Sequence, residues 1–157
     1  MAREDAFNAA KATSTLLGGF FKEVANEIGL EKALSLYAKQ GEVFGAMMAG
    51  AVKERLGDKE FDMKTLASVA SGFFQMCGFT YELEDTPTSI KASQFQCPFY
   101  EGFKSAGLDH QTIEALCSRL GALERAEYKK AFPQLSSRLK FRSAPDQPCI
   151  EEYELEK

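Results

Sequence analysis

Three cysteines in the second half of the chain have the residue type and setting for chemistry: Cys97, Cys117 and Cys149. Cys97 is followed by Pro98, which suits the first position of a helix because its missing N–H would be unpaired there in any case. Cys97 is then the N-cap, and the positive end of the helix dipole is expected to lower the pKa of its thiol. This setting predicts a nucleophile or a metal ligand; the alternative is a small buried residue.

The other two cysteines are weaker candidates when each is taken alone. Cys117 lies in the middle of a predicted helix, between Leu116 and Leu120, where core packing explains it equally well. Cys149 opens the last predicted strand on its inward side. Three thiols in one part of a small chain favour a shared site, although their spacing matches no short zinc signature such as paired CxxC motifs. Cys77 falls on the apolar side of another helix and is assigned to the core.

Three further side chains could transfer protons or bind a metal. His110, the only histidine, is either an exposed first-turn residue of a helix or a base or metal ligand near Cys97. Glu151 is expected on the inward face of the last strand, where a carboxylate needs a partner, a metal or water. Asp146 lies in the preceding turn, where Pro-Asp is also ordinary turn chemistry. The catalytic candidates are therefore Cys97, Glu151 and Asp146, and the candidate metal ligands are Cys97, Cys117, Cys149 and His110.

The elements that must position these residues are a helical first half and a second half of two hairpins with helices between them. Capping aspartates precede two of the helices, at Asp62 and Asp109, and glycines follow several others. The order predicts an α+β fold, in which the two hairpins form a four-stranded antiparallel sheet with helices packed on one face. The predicted helices cover 5–28, 30–56 with a break near Gly41, 63–77, 98–106 and 110–128, and the predicted strands cover 80–84, 89–95, 135–142 and 149–155.

The charge pattern of the last hairpin predicts which way its side chains point. Basic residues alternate along the first strand and acidic residues along the second: Arg138, Lys140 and Arg142, then Glu152 and Glu154. Opposite charges across an antiparallel pair stabilise it by roughly 0.2–1 kcal/mol each, so we expect all five on the solvent face. Cys149 and Glu151 then point toward the core, and a slip of one residue would expose Glu151.

Bulk composition limits the classes of function. A chain of 157 residues with 45% hydrophobic residues and a net charge of −4 suits one domain, with a helical half at 1–78 and the cysteine-bearing half at 79–157. No basic run with interleaved aromatics predicts a nucleic-acid partner. No run approaches the roughly 18 apolar residues of a membrane span, and the N-terminus lacks signal-peptide features. We expect a cytoplasmic chain with reduced thiols and no membrane partner.

One helix carries a surface of small residues and methionines. Its members are Gly45, Ala46, Met47, Met48, Ala49 and Gly50. Such a surface suits either helix packing or the seam of a homodimer, and the sequence does not choose between them.

The second half of the chain resembles a known family of small proteins. The segment from Gln96 to Lys104 runs Gln-Cys-Pro-Phe-Tyr-Glu-Gly-Phe-Lys, Cys117 follows on the next helix, and residues 145–149 run Pro-Asp-Gln-Pro-Cys. This pattern is similar to the L-2-amino-thiazoline-4-carboxylic acid hydrolase-like family and to the related 4-vinyl reductase domain, a small-molecule-binding module. Both belong with the ligand-binding fold of Golgi-transport and nitric-oxide-sensing proteins. The resemblance covers residues 93–155.

The resemblance implies hydrolysis of a ring carbon–nitrogen bond in a small, cysteine-related heterocycle, with either a divalent metal (zinc or manganese) or no cofactor. In that scheme, water whose pKa a metal has lowered attacks an amidine-like carbon, and Glu151 or Asp146 handles the proton. A second route uses the Cys97 thiolate as the nucleophile. The non-catalytic alternative is a small-ligand- or metal-binding sensor domain, and a third is an interaction protein that pairs through its helical half.

Overall fold

The chain folds into six helices and four strands across residues 3–156, the part that this computed structural model describes. The order of elements confirms the predicted α+β class and both hairpins, and the long second helical pattern separates into two helices at Lys39. In chain order the elements are α1 (Arg3–Ile28), α2 (Leu30–Ala38), α3 (Gln40–Leu56), α4 (Met63–Cys77), β1 (Thr80–Asp85), β2 (Ser89–Gln96), α5 (Pro98–Ser105), α6 (His110–Ala131), β3 (Leu135–Lys140) and β4 (Cys149–Leu155).

Local chemistry sets the ends of the helices. The side chains of Asp62 and Asp109 accept hydrogen bonds from the backbone N–H groups of Thr65 and Thr112, each at 2.7 Å. Each bond satisfies a donor that the first turn of the helix leaves free. Gly78 ends α4 with a φ of 74°, which residues with a Cβ rarely adopt.

The four strands form one sheet in the order β1-β2-β4-β3, and neighbouring strands are antiparallel. A row of alternating charge crosses the outer face, because the register places Glu84, Lys91, Glu152 and Arg138 successively opposite one another. The Nζ atom of Lys91 lies 3.0 Å from Oε1 of Glu84, and Nε of Arg138 donates to Glu152. The row confirms the predicted solvent face for Arg138 and Glu152.

The helices cover the inner face of the sheet, and the core there forms two clusters of buried side chains. The first includes Val52, Leu66, Ile90 and Tyr128. The second includes Phe21, Phe74, Phe103 and Leu116, together with Cys97. No helix within residues 3–156 combines the length and apolar content that a bilayer crossing requires.

The crossing of α3 and α6 depends on small residues. A Cβ atom added at Gly45 would lie 2.5 Å from the carbonyl oxygen of Glu124 and 2.8 Å from its Cα, so the two backbones approach too closely for any other residue without a shift. Part of the predicted small-residue surface is therefore helix packing, which also buries Met48. Met47 remains 59% exposed, and a homodimer seam stays a prediction.

Candidate functional site

The three predicted cysteines come from three elements that meet at one end of the sheet. Cys97 joins β2 to α5, Cys149 begins β4 and pairs with Gln94 of β2, and Cys117 lies on α6. They are close enough for an ionised thiol at either Cys97 or Cys149 to raise the pKa of Cys117. The structure therefore brings together the three thiols that the sequence singled out.

Cys97 caps α5, as its position before Pro98 predicted. Its Sγ atom accepts a hydrogen bond from the backbone N–H of Tyr100 at 3.5 Å. The predicted lowering of its pKa is wrong, because burial raises the pKa of the Cys97 thiol to about 12 despite the backbone donors of Tyr100 and Phe99. Loss of hydration thus outweighs the helix terminus. Burial also raises the pKa of Cys117 well above its ordinary value.

The sequence pattern also predicted the environment of Arg142 incorrectly. We expected it on the solvent face with Arg138, but β3 ends at Lys140 and the side chain of Arg142 is only 3% exposed. The hairpin register explains the difference. Lys140 pairs with Ile150, so a longer strand would place Arg142 opposite Pro148, which has no N–H to contribute to a ladder.

The guanidinium of Arg142 contacts three parts of the site. Its Nε donates to Sγ of Cys149 at 3.4 Å, its Nη1 donates to the carbonyl oxygen of Pro145 at 3.0 Å, and its Nη2 donates to the carbonyl oxygen of Gln94 at 3.2 Å. The guanidinium carbon also lies 4.6 Å from the centre of the Tyr100 ring, within the range of a cation–π interaction. These contacts fix the cation beside the thiols.

No acidic side chain balances this buried charge within residues 3–156. The ion pairs found there join other residues, on the protein surface, and the acceptors of Arg142 are one sulfur and two carbonyl groups. A buried charge is costly unless it is paired. The cluster therefore contains a positive charge that favours a negatively charged partner.

His110 and Phe141 lie beside the cluster. The Nδ1 atom of His110 is 3.0 Å from the hydroxyl of Tyr100, and its ring centre lies 5.4 Å from that of Phe141. His110 thus contacts the site through Tyr100, whose ring in turn stacks on Arg142. The half-buried rings of His110 and Phe141 are tilted by 50° to one another and line this side of the site.

The two predicted acids occupy different surroundings. Glu151 faces the core from β4, opposite Leu139 of β3, which confirms its predicted face, and burial raises the pKa of its carboxyl group. Asp146 is exposed in the turn before β4, which is closed by a hydrogen bond from the N–H of Gln147 to the carbonyl oxygen of Ala144 at 3.0 Å. Catalytic roles for Cys97, Glu151 and Asp146 stay predictions.

The cluster does not suit a metal ion as it is arranged. Across the described part of the chain, no three side chains among His, Cys, Asp and Glu are placed to hold a metal together. The sulfur of Cys149 instead accepts a hydrogen bond from a cation, which opposes a second positive charge at the same atom. Binding of zinc or manganese by Cys97, Cys117, Cys149 and His110 stays a prediction.

Comparison with known proteins shows the fold. No protein-family model matches this chain, and no curated protein matches it. Among solved structures, it is similar to a trafficking protein particle complex subunit 3 from Naegleria fowleri covalently bound to palmitic acid, with a TM-score of 0.52 and 14% identity over 92% of this chain and 96% of that chain. The match confirms the expected Golgi-transport type of fold and, at this identity, shows the fold alone.

Proposed function

We propose that this chain binds a small anionic ligand at the cysteine–arginine cluster, which we define as Cys97, Tyr100, Cys117, Arg142 and Cys149. The observation that carries the proposal is the buried guanidinium of Arg142, which has no acidic partner within residues 3–156. A ligand carboxylate would supply the missing negative charge, since guanidinium and carboxylate groups match in geometry and charge.

The hydrogen bonds of Arg142 leave it able to bind such a group. A guanidinium has more N–H donors than the three that Arg142 uses in its contacts with Cys149, Pro145 and Gln94. Those contacts also hold it in place, so little side-chain entropy is lost when a ligand binds. The ring of Tyr100 lies against the cation and leaves the edge of the guanidinium as the binding surface.

The similar solved structure supports a ligand-carrying use of this fold. That protein is covalently bound to palmitic acid, which is a carboxylic acid in its free form. The supported chemistry is therefore an acid or a group derived from one, and the test below includes both a small heterocyclic acid and a fatty acid.

The test is a thermal-shift screen with matched acids and amides, using 2-aminothiazoline-4-carboxylate, palmitate and their carboxamides. We expect at least one acid to raise the Tm by roughly 5 °C at about 100 times its Kd, and its uncharged amide to have much less effect. Arg142→Gln should abolish the shift. Arg138→Gln is the matched control, because Arg138 is on the surface of the same hairpin, and it should keep the shift.

Two results would contradict the proposal. One is a screen in which no acid raises the Tm more than its amide does. The other is an acid that stabilises the Arg142→Gln protein as much as the wild type, which would place the binding site elsewhere.

Hydrolysis of a ring carbon–nitrogen bond is a second candidate, favoured by the core-facing carboxyl group of Glu151 two positions after Cys149. In this reaction, water adds to the amidine carbon, the ring C–N bond breaks and the leaving nitrogen takes a proton, which a carboxylic acid can deliver. We expect Glu151→Gln to stop consumption of 2-aminothiazoline-4-carboxylate while its binding persists. Absence of consumption by the wild type, with or without added zinc or manganese, would exclude this substrate.

A further inference from the structure

A second polar cluster lies between α6 and the β3–β4 hairpin, farther along the interface from the cysteines. Two contacts locate it. The ring of Tyr128 on α6 lies 5.8 Å from that of Tyr153 on β4. About two turns toward the start of α6, a Cβ atom at Gly121 would lie 3.5 Å from the side chain of Leu139 on β3. Leu139 pairs with Glu151 on β4.

Glu124 and Arg125 occupy the stretch of α6 between these two contacts, so they lie over Glu151. On its other side, the backbone of Glu124 contacts α3 at Gly45, where a residue with a Cβ atom would not fit without a shift. The Nη1 atom of Arg125 is buried and has no hydrogen-bond partner within residues 3–156. Arg125 also forms none of the ion pairs found there, so it neutralises neither carboxylate at close range.

We propose that protonation of Glu124 stabilises the packing of α6 on the β3–β4 hairpin. We call this pH-dependent contact the latch. A neutral carboxyl group is tolerated at this partly buried position, whereas an ionised one loses part of its hydration and faces the charge of a second carboxylate. Opening the interface releases that constraint by exposing Glu124 to water. The titratable and charged groups around it are Arg125 and Tyr128 from α6 and Glu151 and Tyr153 from β4. The neighbouring residues from β3 and α3 are uncharged, Leu139 and Gly45.

The electrostatics agree with this geometry. Burial, followed by the charge of Glu151, raises the pKa of Glu124 from 4.5 to about 8, and Arg125 only partly opposes the rise. Burial likewise raises the pKa of Glu151. Because the closed state holds a proton that the open state releases, closure is fully favourable below pH 4.5 and weakens as the pH rises toward about 8. Above that pH both states are ionised and the effect levels off.

The latch bears on the cysteine–arginine cluster because the same two elements form both. β4 carries Cys149 at its first position, and α6 carries Cys117 on the same side as Glu124, seven positions earlier. A change in the packing of α6 on β4 therefore alters the distance between two thiols of the cluster. This inference stands independently of whether the cluster binds an anion.

Hydrogen exchange of the full chain tests the latch. The opening equilibrium of the β4 amides, corrected for the intrinsic pH dependence of exchange, should rise by at least about tenfold per pH unit between pH 5.5 and 7.5. Glu124→Gln lacks this proton, so its opening equilibrium constant should rise about tenfold less per pH unit than that of the wild type. Glu114→Gln is the control, because Glu114 is exposed on the same helix, and it should behave as the wild type does.

Equal pH dependence in the wild type and in Glu124→Gln would overturn the proposal. If Glu124→Gln does not fold, the carboxyl ¹³C resonance of Glu124 in the wild type decides the question. A titration midpoint near pH 8 supports the latch, whereas a midpoint near the ordinary glutamate value of about 4.3 contradicts it.

Discussion

At the scale of single residues, the competition between hydration and hydrogen bonding decides which thiol can ionise. Cys97 has the features that activate a cysteine, because it caps a helix and accepts a backbone N–H bond at 3.5 Å. It is also enclosed by the second core cluster, and the cost of an unhydrated thiolate is the larger effect. Cys97 is thus better suited to shape the site than to attack a substrate.

This conclusion predicts a slow reaction of Cys97 with alkylating reagents. With a pKa raised to about 12, its thiolate fraction at pH 8 is on the order of a thousand times smaller than that of a free thiol with a pKa near 8.5. Peptide mapping after timed exposure to iodoacetamide measures the rate at each cysteine. A rate at Cys97 within about tenfold of free cysteine would show that the thiol is far less enclosed than the structure indicates.

Local rules explain why some of these residues could be predicted from the sequence and others could not. The capping role of Cys97 follows from Pro98 alone, and the inward side of Glu151 follows from alternation along one strand. The pKa of Cys97 depends on residues brought around it from α1, α2 and α6, which no local pattern shows. Arg142 was misassigned because alternation was extended past the end of β3.

At the scale of elements, the approach of α3 to α6 positions the polar cluster between α6 and the β3–β4 hairpin. Gly45 allows the backbone of Glu124 to lie against α3, and this sets how closely α6 approaches α3. The glycine was visible in the sequence as part of a small-residue surface. Its partner on α6 was not, because Glu124 and Arg125 follow the pattern of an ordinary solvated helix face.

Two glycines of α3 give a matched test of this crossing. Gly45→Ala places a methyl group 2.5 Å from the carbonyl oxygen of Glu124, so we expect a loss of roughly 1–3 kcal/mol in the free energy of unfolding. Gly50→Ala meets no atom within 4 Å and should stabilise the helix by roughly 0.5–1 kcal/mol. Urea unfolding of both variants measures the difference; a neutral Gly45→Ala would mean that the helices do not cross here.

The solvent face of the last hairpin could be predicted from charge because each of its strands has one solvent-exposed face. The row of Glu84, Lys91, Glu152 and Arg138 holds all four strands in one alignment, and a slip of one residue would turn these charges inward. The alternation ends where Pro148 interrupts the ladder. Beyond that point the chain is free to turn Arg142 toward the core.

At the scale of the whole molecule, the order of helices and hairpins determines the fold more than any single motif does. The sheet order β1-β2-β4-β3 places the ends of β2 and β4 side by side at the centre, which brings Cys97 and Cys149 together. The resemblance predicted this Golgi-transport type of fold, and the solved structure with a TM-score of 0.52 confirms it. The activity implied by the resemblance depends on the side chains of the site rather than on the fold.

The most direct test of the central claim is the NMR signal of the Arg142 Nε–H group during titration with the acid that most raises the Tm. We predict that this signal, held by the sulfur of Cys149 in the free protein, shifts on binding while the Nε–H signal of Arg138 stays unchanged. An acid that binds with unchanged chemical shifts at Arg142 would contradict the assignment of the cysteine–arginine cluster as the ligand site.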